Sequence, residues 1–224
     1  MQKDIYSGLK LDNGEPVYTQ EYIQSLRDTD NKHPDKLKII AQRGGQERML
    51  SIDADIKIVG GSRGGSKSFS SLMEVLKDIK NPDFHATILR NEKDDLQSLV
   101  TDSYKLFSQF GTYNKSQNDM TWNFANGGWL KFSYYAGAYQ DFKTRFQGRQ
   151  YAYVCIDEGT QCPYKKFKYL LTNNRNAAHI RNRFWITCNP DPESWVRKFI
   201  DWWVTDEGYI DPEKNGVIRY CFMD

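Results

Sequence analysis

A short glycine-rich stretch, GGSRGGSKS at residues 60–68, carries the side chains with the clearest chemical meaning in this sequence. A chain that wraps a triphosphate must aim several backbone N–H groups inward, which requires φ angles that side chains resist. That freedom is supplied by glycines at Gly60, Gly61, Gly64 and Gly65. Lys67 then supplies a cation for the β- and γ-phosphates, and the Ser68 hydroxyl can ligate Mg²⁺. The stretch therefore predicts a nucleotide-binding loop.

One position departs from the usual phosphate-loop pattern, G-x-x-x-x-G-K-[ST], because Ser66 stands where that pattern has its second glycine. Serine can take part in such a loop provided that its own φ stays negative, so we expect a negative φ at Ser66. The alternative is an ordinary strand–turn–helix junction with a solvated Lys67. The loop alone does not decide between these two interpretations.

A pair of carboxylates follows the apolar run YVCI at residues 153–156. Hydrolysis of a triphosphate needs one carboxylate that holds the metal and another that polarises the attacking water, at the carboxyl end of a neighbouring buried strand. Asp157 and Glu158 meet this requirement, with Asp157 assigned to Mg²⁺ and Glu158 to the general base. Adjacent acidic residues after a strand are often only a solvated turn. The preceding apolar run favours a nucleoside triphosphatase.

Polar residues also end the next β-type run, RFWITCNP at residues 183–190. A strand parallel to the one that precedes Asp157 would present Thr187 and Asn189 at the same sheet edge, near the γ-phosphate. We interpret them as sensor or coupling residues. The alternative is a strand that is simply stopped by Asn-Pro.

The alternation of elements along the chain predicts a three-layer α/β fold of the P-loop NTPase (ASCE) type, with a mostly parallel sheet and an antiparallel hairpin insertion. Strands are expected at 56–60, 85–90, 151–157 and 183–189, with a last strand at 216–224 and a hairpin over 120–135 around Asn126-Gly127-Gly128. Helices are expected at 18–28, 67–80, 91–110, 163–173 and 194–204.

Composition narrows the class of protein. The chain has 224 residues, enough for one large domain, and its net charge of +2 is too small to argue for a nucleic-acid partner. No apolar run approaches the roughly 20 residues that cross a bilayer, and the N-terminus lacks the apolar core of a signal peptide.

The four cysteines form no C-x-x-C pair. Reduced core cysteines in a cytosolic protein are the expectation, at Cys155, Cys162, Cys188 and Cys221.

Several aromatic and basic residues have both a functional and a structural interpretation. Trp122 and Trp129 suit stacking on bases, but core packing is the simpler expectation. A buried stripe is expected of the aromatic residues near the last helix, Trp195, Phe199, Trp202 and Trp203. The basic segment at 163–183 suits contacts to DNA phosphates and equally a solvated helix face, so no DNA-binding residue is assigned.

Taken together, three stretches resemble, in order and spacing, the large terminase subunit of tailed double-stranded DNA bacteriophages, over roughly residues 42–224. They are GGQERMLSIDADIKIVGGSRGGSKS, FQGRQYAYVCIDEGTQ and ITCNPDPESWVRKF. That family's phosphate loop often departs from the generic consensus and carries an arginine, here Arg63, so Ser66 ceases to count against the loop. The resemblance implies an ATP-hydrolysing, Mg²⁺-dependent motor domain that threads double-stranded DNA into a procapsid.

The resemblance also implies roles for individual residues. Gln46 matches the adenine-recognition glutamine, and Thr187 with Asn189 matches the motif that couples hydrolysis to movement. Arg145 and Arg149 are candidates for the arginine that a neighbouring subunit supplies to the transferred phosphate, although a solvated arginine is an equal alternative. Nucleotide contacts are expected from the loop residues Gly61, Ser62, Arg63, Gly64, Gly65, Ser66, Lys67 and Ser68.

Partners and domain limits follow from the same resemblance. The expected partners are double-stranded DNA, the portal protein, the small terminase subunit and further copies of the chain in a ring, in the cytoplasm of an infected bacterium. We expect an N-terminal lead at 1–50, an ATPase core at 51–205 and the start of a linker at 206–224, without nuclease activity. Two alternatives remain, a helicase-type DNA-remodelling ATPase and a non-hydrolysing, nucleotide-dependent assembly module.

Overall fold

The computed structural model describes residues 10–11, 39, 41–42, 44–61, 66–114, 116, 119–189 and 191–220. The chain divides into two compact units, Asp55–Lys198 and a second unit made of Met1–Ala54 with Phe199–Asp224. In the described part of the chain, no helix is both long enough and apolar enough to cross a membrane.

The elements have the following bounds. The strands are β1 (Lys10–Leu11), β2 (Ile56–Val59), β3 (His85–Arg90), β4 (Gly111–Asn114), β5 (Thr121–Phe124), β6 (Trp129–Tyr134), β7 (Tyr153–Ile156), β8 (Arg183–Thr187) and β9 (Val217–Ile218). The α-helices are α1 (Gly45–Ser51), α2 (Lys67–Val75), α3 (Gln97–Phe107), α4 (Tyr139–Phe146), α5 (Tyr164–Asn173) and α6 (Trp195–Phe199). Short 3₁₀ turns occur at Asp94–Leu96, Gly159–Gln161 and Asp201–Trp203.

The larger unit is built on a seven-stranded sheet in the order β2-β8-β7-β3-β6-β5-β4. Neighbouring strands from β2 to β6 pair in parallel, whereas β5 pairs antiparallel with both β6 and β4. Every residue of β7 and β8 is buried, as expected for the central strands of a parallel sheet that is covered on both faces. The predicted α/β fold with a mostly parallel sheet is confirmed.

The predicted hairpin forms at the end of the sheet and extends it. β5 and β6 are joined by a turn in which Gly127 has φ +109, a left-handed conformation that glycine adopts readily. β6 pairs in parallel with β3, and β4, which was not predicted, adds one more strand beyond β5. Trp122 is buried in this part of the core and donates to Ser103 Oγ at 2.8 Å, whereas Trp129 is half-buried and stacks on His85.

Helix α4 was missed by the sequence analysis. Its sequence, YQDFKTRF, is mostly polar, and it is fixed by two buried rings, Phe142 and Phe146, whose centroids lie 4.8 Å apart. The other predicted helices of this unit are present but shorter, since α2 ends at Val75 and α3 begins at Gln97 after a 3₁₀ turn. The predicted helix at 18–28 lies outside the described residues.

The C-terminal predictions are corrected by the structure. Instead of one helix over 194–204, α6 ends at Phe199 and a 3₁₀ turn follows at Asp201–Trp203. The expected buried stripe is wrong, because all four of its aromatic residues, Trp195, Phe199, Trp202 and Trp203, are only half-buried. Within the predicted last strand at 216–224, the described residues form the short strand β9, which pairs in parallel with β1 in a separate two-stranded sheet of the smaller unit, and residues 221–224 lie outside the described part of the chain.

A buried group of charges fastens α2 to the sheet. The fully buried carboxylate of Glu74 lies 3.3 Å from Lys57 Nζ on β2 and 3.0 Å from Arg183 Nε on β8. Lys77 adds a third cation at 2.9 Å. Burial lowers the pKa of Lys57 from 10.5 to about 7, because the neighbouring Glu74 carboxylate offsets the cost of desolvation only in part.

Candidate active site

The residues with predicted chemistry meet at one edge of the larger unit's sheet. In the parallel ladders Val59 pairs with Thr187 and Ile156 pairs with Ile186, so the carboxyl ends of β2, β8 and β7 are level. The backbone pairing continues just past the strands, where Asp157 N donates to Leu89 O at 2.8 Å. The described ends of the loop, the two carboxylate residues and the residues at the end of β8 therefore share one edge, as the sequence predicts.

The described ends of the phosphate loop have unusual backbone conformations. Gly61 has φ +143 and Ser66 has φ +56, so the expectation of a negative φ at Ser66 is wrong. Ser66 is the last residue before α2, and its carbonyl accepts hydrogen bonds from Ser70 N and Ser70 Oγ, both at 2.8 Å. The chain thus makes a left-handed turn into the helix at a position where the generic loop has glycine. The middle of the loop, Ser62, Arg63, Gly64 and Gly65, lies outside the described residues.

Lys67 connects the loop with the end of β8. Its ammonium group donates to Gly61 O at 2.9 Å and lies 3.4 Å from Asn189 Oδ1. Between Thr187 and Asn189, burial raises the pKa of the Cys188 thiol. Cys155 and Cys162 are likewise buried free thiols, as predicted, whereas Cys221 lies outside the described residues.

The carboxylate of Asp157 is fully buried and is the centre of the site. It accepts from Ser68 Oγ, at 2.9 Å to Oδ1 and 3.0 Å to Oδ2, and also from Thr187 Oγ1. A third donor is Arg90, whose Nε lies 2.6 Å from Asp157 Oδ2. Asp157 therefore joins the helix that follows the loop to both β8 and β3.

Arg90 is the functional residue that the sequence analysis missed. Its guanidinium also donates to Asp95 O at 2.8 Å and to Ser98 Oγ at 3.1 Å, which fixes its orientation. The available signal is positional, because the β-type run HATILR ends in an arginine, and the carboxyl end of a parallel strand lies at the same edge as Asp157.

Glu158 has a backbone conformation that is rare for a residue with a side chain. Its φ is +59 and its ψ is 44, and its backbone N–H donates to Thr187 Oγ1 at 3.2 Å. The side chain is half-buried, and its Oε2 accepts one long hydrogen bond from Gln161 Nε2 at 3.3 Å. The following residue must be glycine, because an added Cβ at Gly159 would lie 2.3 Å from Ile186 Cγ2. A carboxylate held this loosely can accept a proton from water.

The oxygen atoms around Asp157 fit a magnesium ion. Mg²⁺ prefers carboxylate, hydroxyl and phosphate oxygens, and it keeps few protein ligands when it is bound through a nucleotide. Ser68 Oγ and both Asp157 oxygens lie within 3.0 Å of one another, so one ion can reach both side chains. In the described residues there is no group of three or more His, Cys, Asp or Glu side chains that would bind a metal without phosphate.

Three further predicted residues lie on or near other elements. Gln46 lies on α1 in the smaller unit, and its Oε1 accepts from Gln42 N at 2.8 Å. Arg145 stacks 3.7 Å from the centroid of the Tyr134 ring and donates to Tyr134 O. Arg149 is exposed and donates from Nε to Arg145 O at 2.9 Å. Within the described residues, neither arginine donates a hydrogen bond to Asp157 or Glu158.

Arg145 and Arg149 line a basic cavity. The cavity has a volume of about 260 Å³, and its other basic lining residues are Lys93 and Lys131. In the basic segment that follows β7, Lys165 and Arg175 are exposed, but Lys166 is buried and so is removed from any DNA-facing set.

Comparisons with solved structures show proteins of the same fold. The large terminase of a thermophilic bacteriophage, in complex with ADP, superposes with a TM-score of 0.55 at 16% identity, covering 80% of this chain and 44% of that one. The large terminase ATPase domain of Thermus phage P74-26 gives a TM-score of 0.54 at 12% identity, covering 77% and 78%. The HK97 bacteriophage large terminase gives 0.51 at 10% identity, covering 88% and 39%.

These likenesses show the fold, and the chain spans less than half the length of the first of these terminases. A search of curated protein sequences gave no match. The family model described as terminase large subunit, T4likevirus-type, N-terminal, matches residues 58–219, which is most of the chain and includes Lys67, Asp157, Glu158 and Thr187. The chain therefore belongs to this family of large terminase N-terminal domains.

Proposed function

We propose that this chain is the ATP-hydrolysing motor domain of a phage large terminase and powers translocation of double-stranded DNA into a procapsid. The observation that carries the proposal is the Asp157 carboxylate, which receives both Ser68 from the loop helix and Thr187 from β8, next to the half-buried Glu158. The related terminase of a thermophilic bacteriophage has been solved with ADP and with ATP-γ-S, which supports a nucleotide as the ligand.

In this proposal each residue has a separate task. Gln46 recognises adenine, residues 61–68 wrap the phosphates, and Lys67 places its charge beside the β- and γ-phosphates. Ser68 and Asp157 would hold Mg²⁺, which would supply positive charge to the phosphate oxygens. Glu158 orients the attacking water and takes its proton, since among the described residues its carboxylate accepts one long hydrogen bond, from Gln161.

Thr187 and Asn189 are proposed to report the state of the γ-phosphate. Thr187 Oγ1 contacts both the Asp157 carboxylate and the Glu158 backbone, and Asn189 lies beside the Lys67 ammonium. Loss of the γ-phosphate would remove negative charge from the surroundings of Lys67 and Asp157. Because Lys67 lies beside Asn189 and Asp157 accepts from Thr187, this change would act on the residues at the end of β8.

Two kinds of arginine complete the proposed mechanism. Arg63 contacts nucleotide in its own subunit, whereas Arg145 or Arg149 reaches the nucleotide of a neighbour and stabilises charge in the transition state. Arg149 is the better candidate, because it is exposed, while the guanidinium of Arg145 is already stacked on Tyr134.

The remaining parts of the proposal concern assembly. The chain works as a ring of identical subunits on the portal, receives DNA from the small terminase subunit, and acts in the cytoplasm of the infected cell. The proposed core is 51–205, with a lead at 1–50 and the start of a linker at 206–224. The core itself is expected to show no nuclease activity.

The test is the rate of Mg²⁺-ATP hydrolysis per chain as the chain concentration is raised, with Glu158→Gln as the blank. A rate per chain that climbs with concentration, with no turnover in the blank, supports a catalytic site completed by a neighbour. A low, constant rate with a dead blank supports catalysis but not completion by the neighbour. ATP binding without turnover in the unmodified chain would instead indicate a non-hydrolysing assembly module.

A further inference from the structure

We propose that Tyr135 and Lys166 are positioning residues that hold the backbone of Glu158 in the orientation that hydrolysis requires. The inference rests on the proposed function, because it takes Glu158 as the general base. Neither residue belongs to the loop, the carboxylate pair or the coupling motif, and neither touches the reacting atoms.

The need for such support comes from the conformation of Glu158. A left-handed backbone costs a residue with a side chain roughly 1–2 kcal/mol, and it persists only where surrounding contacts enforce it. Glu158 is one of the few described residues other than glycine with a positive φ. Because the direction of the carboxylate follows from the backbone, contacts that fix this peptide also fix the base.

Tyr135 supplies the first of these contacts. Its ring is buried at 1% exposure, directly after β6, and its hydroxyl donates to Glu158 O at 3.1 Å. The same hydroxyl lies 3.4 Å from Asp157 O. On the other side of the residue, Glu158 N donates to Thr187 Oγ1. The Glu158 backbone is therefore held at its N–H by β8 and at its carbonyl by Tyr135.

Lys166 supplies a second layer behind Tyr135. Its side chain is buried at 5% exposure, and Nζ donates to Tyr135 O at 2.5 Å and to Gly137 O at 2.6 Å. The ring of Phe142 lies 5.3 Å from the same ammonium group. Burying a cation among neutral groups is costly. Here the Lys166 side chain links the turn that carries Tyr135 to α5 through these two hydrogen bonds.

Together these contacts form a continuous path. It runs from Lys166 on α5 through the turn at 135–137 to the Tyr135 hydroxyl and on to the Glu158 carbonyl. Helix α4 begins immediately after this turn and carries Arg145, whose guanidinium is fixed to Tyr134. These contacts therefore connect Glu158, the proposed general base, to the segment that carries the candidate trans-acting arginines, Arg145 and Arg149.

The decisive variant is Tyr135→Phe, which removes the hydroxyl and keeps the buried ring. We expect kcat to fall about ten- to hundredfold, since small displacements of a catalytic group have effects of that size, while the Kd for ATP stays within about twofold. A purely structural role would lower the melting temperature and leave kcat per folded chain unchanged. Tyr169→Phe is the matched control, because its hydroxyl donates only weakly, to Lys143 O at 3.4 Å, and it is expected to keep wild-type kcat.

Lys166→Met tests the second layer. It is expected to lower kcat in the same way, and the double variant with Tyr135→Phe should lose less than the product of the two single losses, because both act through one path. If the kcat losses of the two single variants multiply in the double variant, the proposed path from Lys166 through Tyr135 to Glu158 is overturned. If Tyr135→Phe does not fold, Lys166→Met takes its place, and a wild-type kcat in that variant would overturn the inference.

Glu158→Gln, measured in parallel, separates this inference from the proposed function. Residual turnover in Glu158→Gln contradicts the function assigned to the glutamate. A dead Glu158→Gln together with wild-type kcat in Tyr135→Phe leaves that function intact and overturns only the positioning role.

Discussion

At the scale of single residues, the site is organised by a buried carboxylate with three donors. Asp157 accepts from Ser68, Thr187 and Arg90, and the last of these is a cation already in contact with the proposed metal ligand. A guanidinium in this place offsets the cost of burying Asp157 before any metal is bound. It also adds positive charge where a second cation would approach, so Arg90 and Mg²⁺ would act on the same carboxylate.

Replacing Arg90 by Gln should therefore make stability depend on magnesium. We expect the metal-free variant to lose about 2–4 kcal/mol of unfolding free energy, because the donors to Asp157 that remain among the described residues, Ser68 and Thr187, are neutral. Added Mg²⁺ should raise the melting temperature of the variant more than that of the wild type. The measurement is thermal unfolding with and without Mg²⁺.

Arg181→Gln is the control for this experiment, since Arg181 pairs with Asp55 on the surface at 2.8 Å. A surface ion pair contributes about 0–1 kcal/mol, so little change is expected. Equal responses of Arg90→Gln and wild type to Mg²⁺ would contradict the role given to Arg90.

Ser66 offers a second residue-scale test. Because its φ is +56, glycine should be favoured over alanine here by about 1 kcal/mol, the reverse of an ordinary helical position. Chemical denaturation of Ser66→Gly and Ser66→Ala measures the difference. The same two substitutions at Gln140, an exposed residue of α4, should show alanine favoured by about 1 kcal/mol. Alanine favoured at both positions would refute the left-handed turn.

At the scale of elements, α2 is fastened to the sheet by the buried charges of Lys57, Glu74 and Arg183. The pKa of Lys57 is lowered to about 7, so between about pH 7 and 10.5 the unfolded chain holds the proton and the folded chain releases it. Stability contributed through this group therefore rises with pH across that window. Below the window both states are protonated, and the cost of the buried cation is fully present.

Lys57→Met should remove this pH dependence. We expect the unfolding free energy of wild type, relative to the variant, to rise by at most about 1.4 kcal/mol per pH unit above pH 7. Urea denaturation between pH 7 and about pH 9.5 measures it, a range that stays below the titration of ordinary tyrosines. Lys80→Met, an exposed lysine beyond α2, should keep the wild-type slope. Parallel curves for wild type and Lys57→Met would show that Lys57 is not responsible.

The elements themselves were predictable where burial determines the sequence. The apolar runs that became β7 and β8 indicated parallel central strands, and the polar residues just after them indicated the site edge. Helix α4 was missed although its two buried phenylalanines are four residues apart, because two apolar positions in a polar octapeptide are too few to define a helical pattern by themselves. The contact of Arg90 with Asp157 and the sign of φ at Ser66 depend on tertiary packing and loop closure, which leave no local pattern.

At the scale of the whole molecule, the proposed motor requires that one subunit completes the site of another. Chains with Arg149→Ala keep Glu158, and chains with Glu158→Gln keep Arg149. Mixing the two inactive variants should restore a substantial fraction of the ATPase rate if Arg149 acts in trans, because some interfaces then contain both intact groups. Arg175→Ala, another exposed arginine, should be active by itself. An inactive mixture would argue against Arg149 as the trans-acting residue, and the same mixing with Arg145→Ala would then be the next test.

The position of β8 also limits where a power stroke can begin. The strand lies between β2 and β7 and pairs in parallel with both, through residues 184–187 on the β2 side and residues 183–186 on the β7 side. Moving this strand along its axis would break the hydrogen bonds of two ladders at once. We therefore expect β8 to stay fixed relative to β2 and β7. In the proposed motor, movement of the backbone is then expected to start beyond the end of β8, between Thr187 and α6. In the proposed motor, Asn189 would then be among the first residues to move when a nucleotide is hydrolysed.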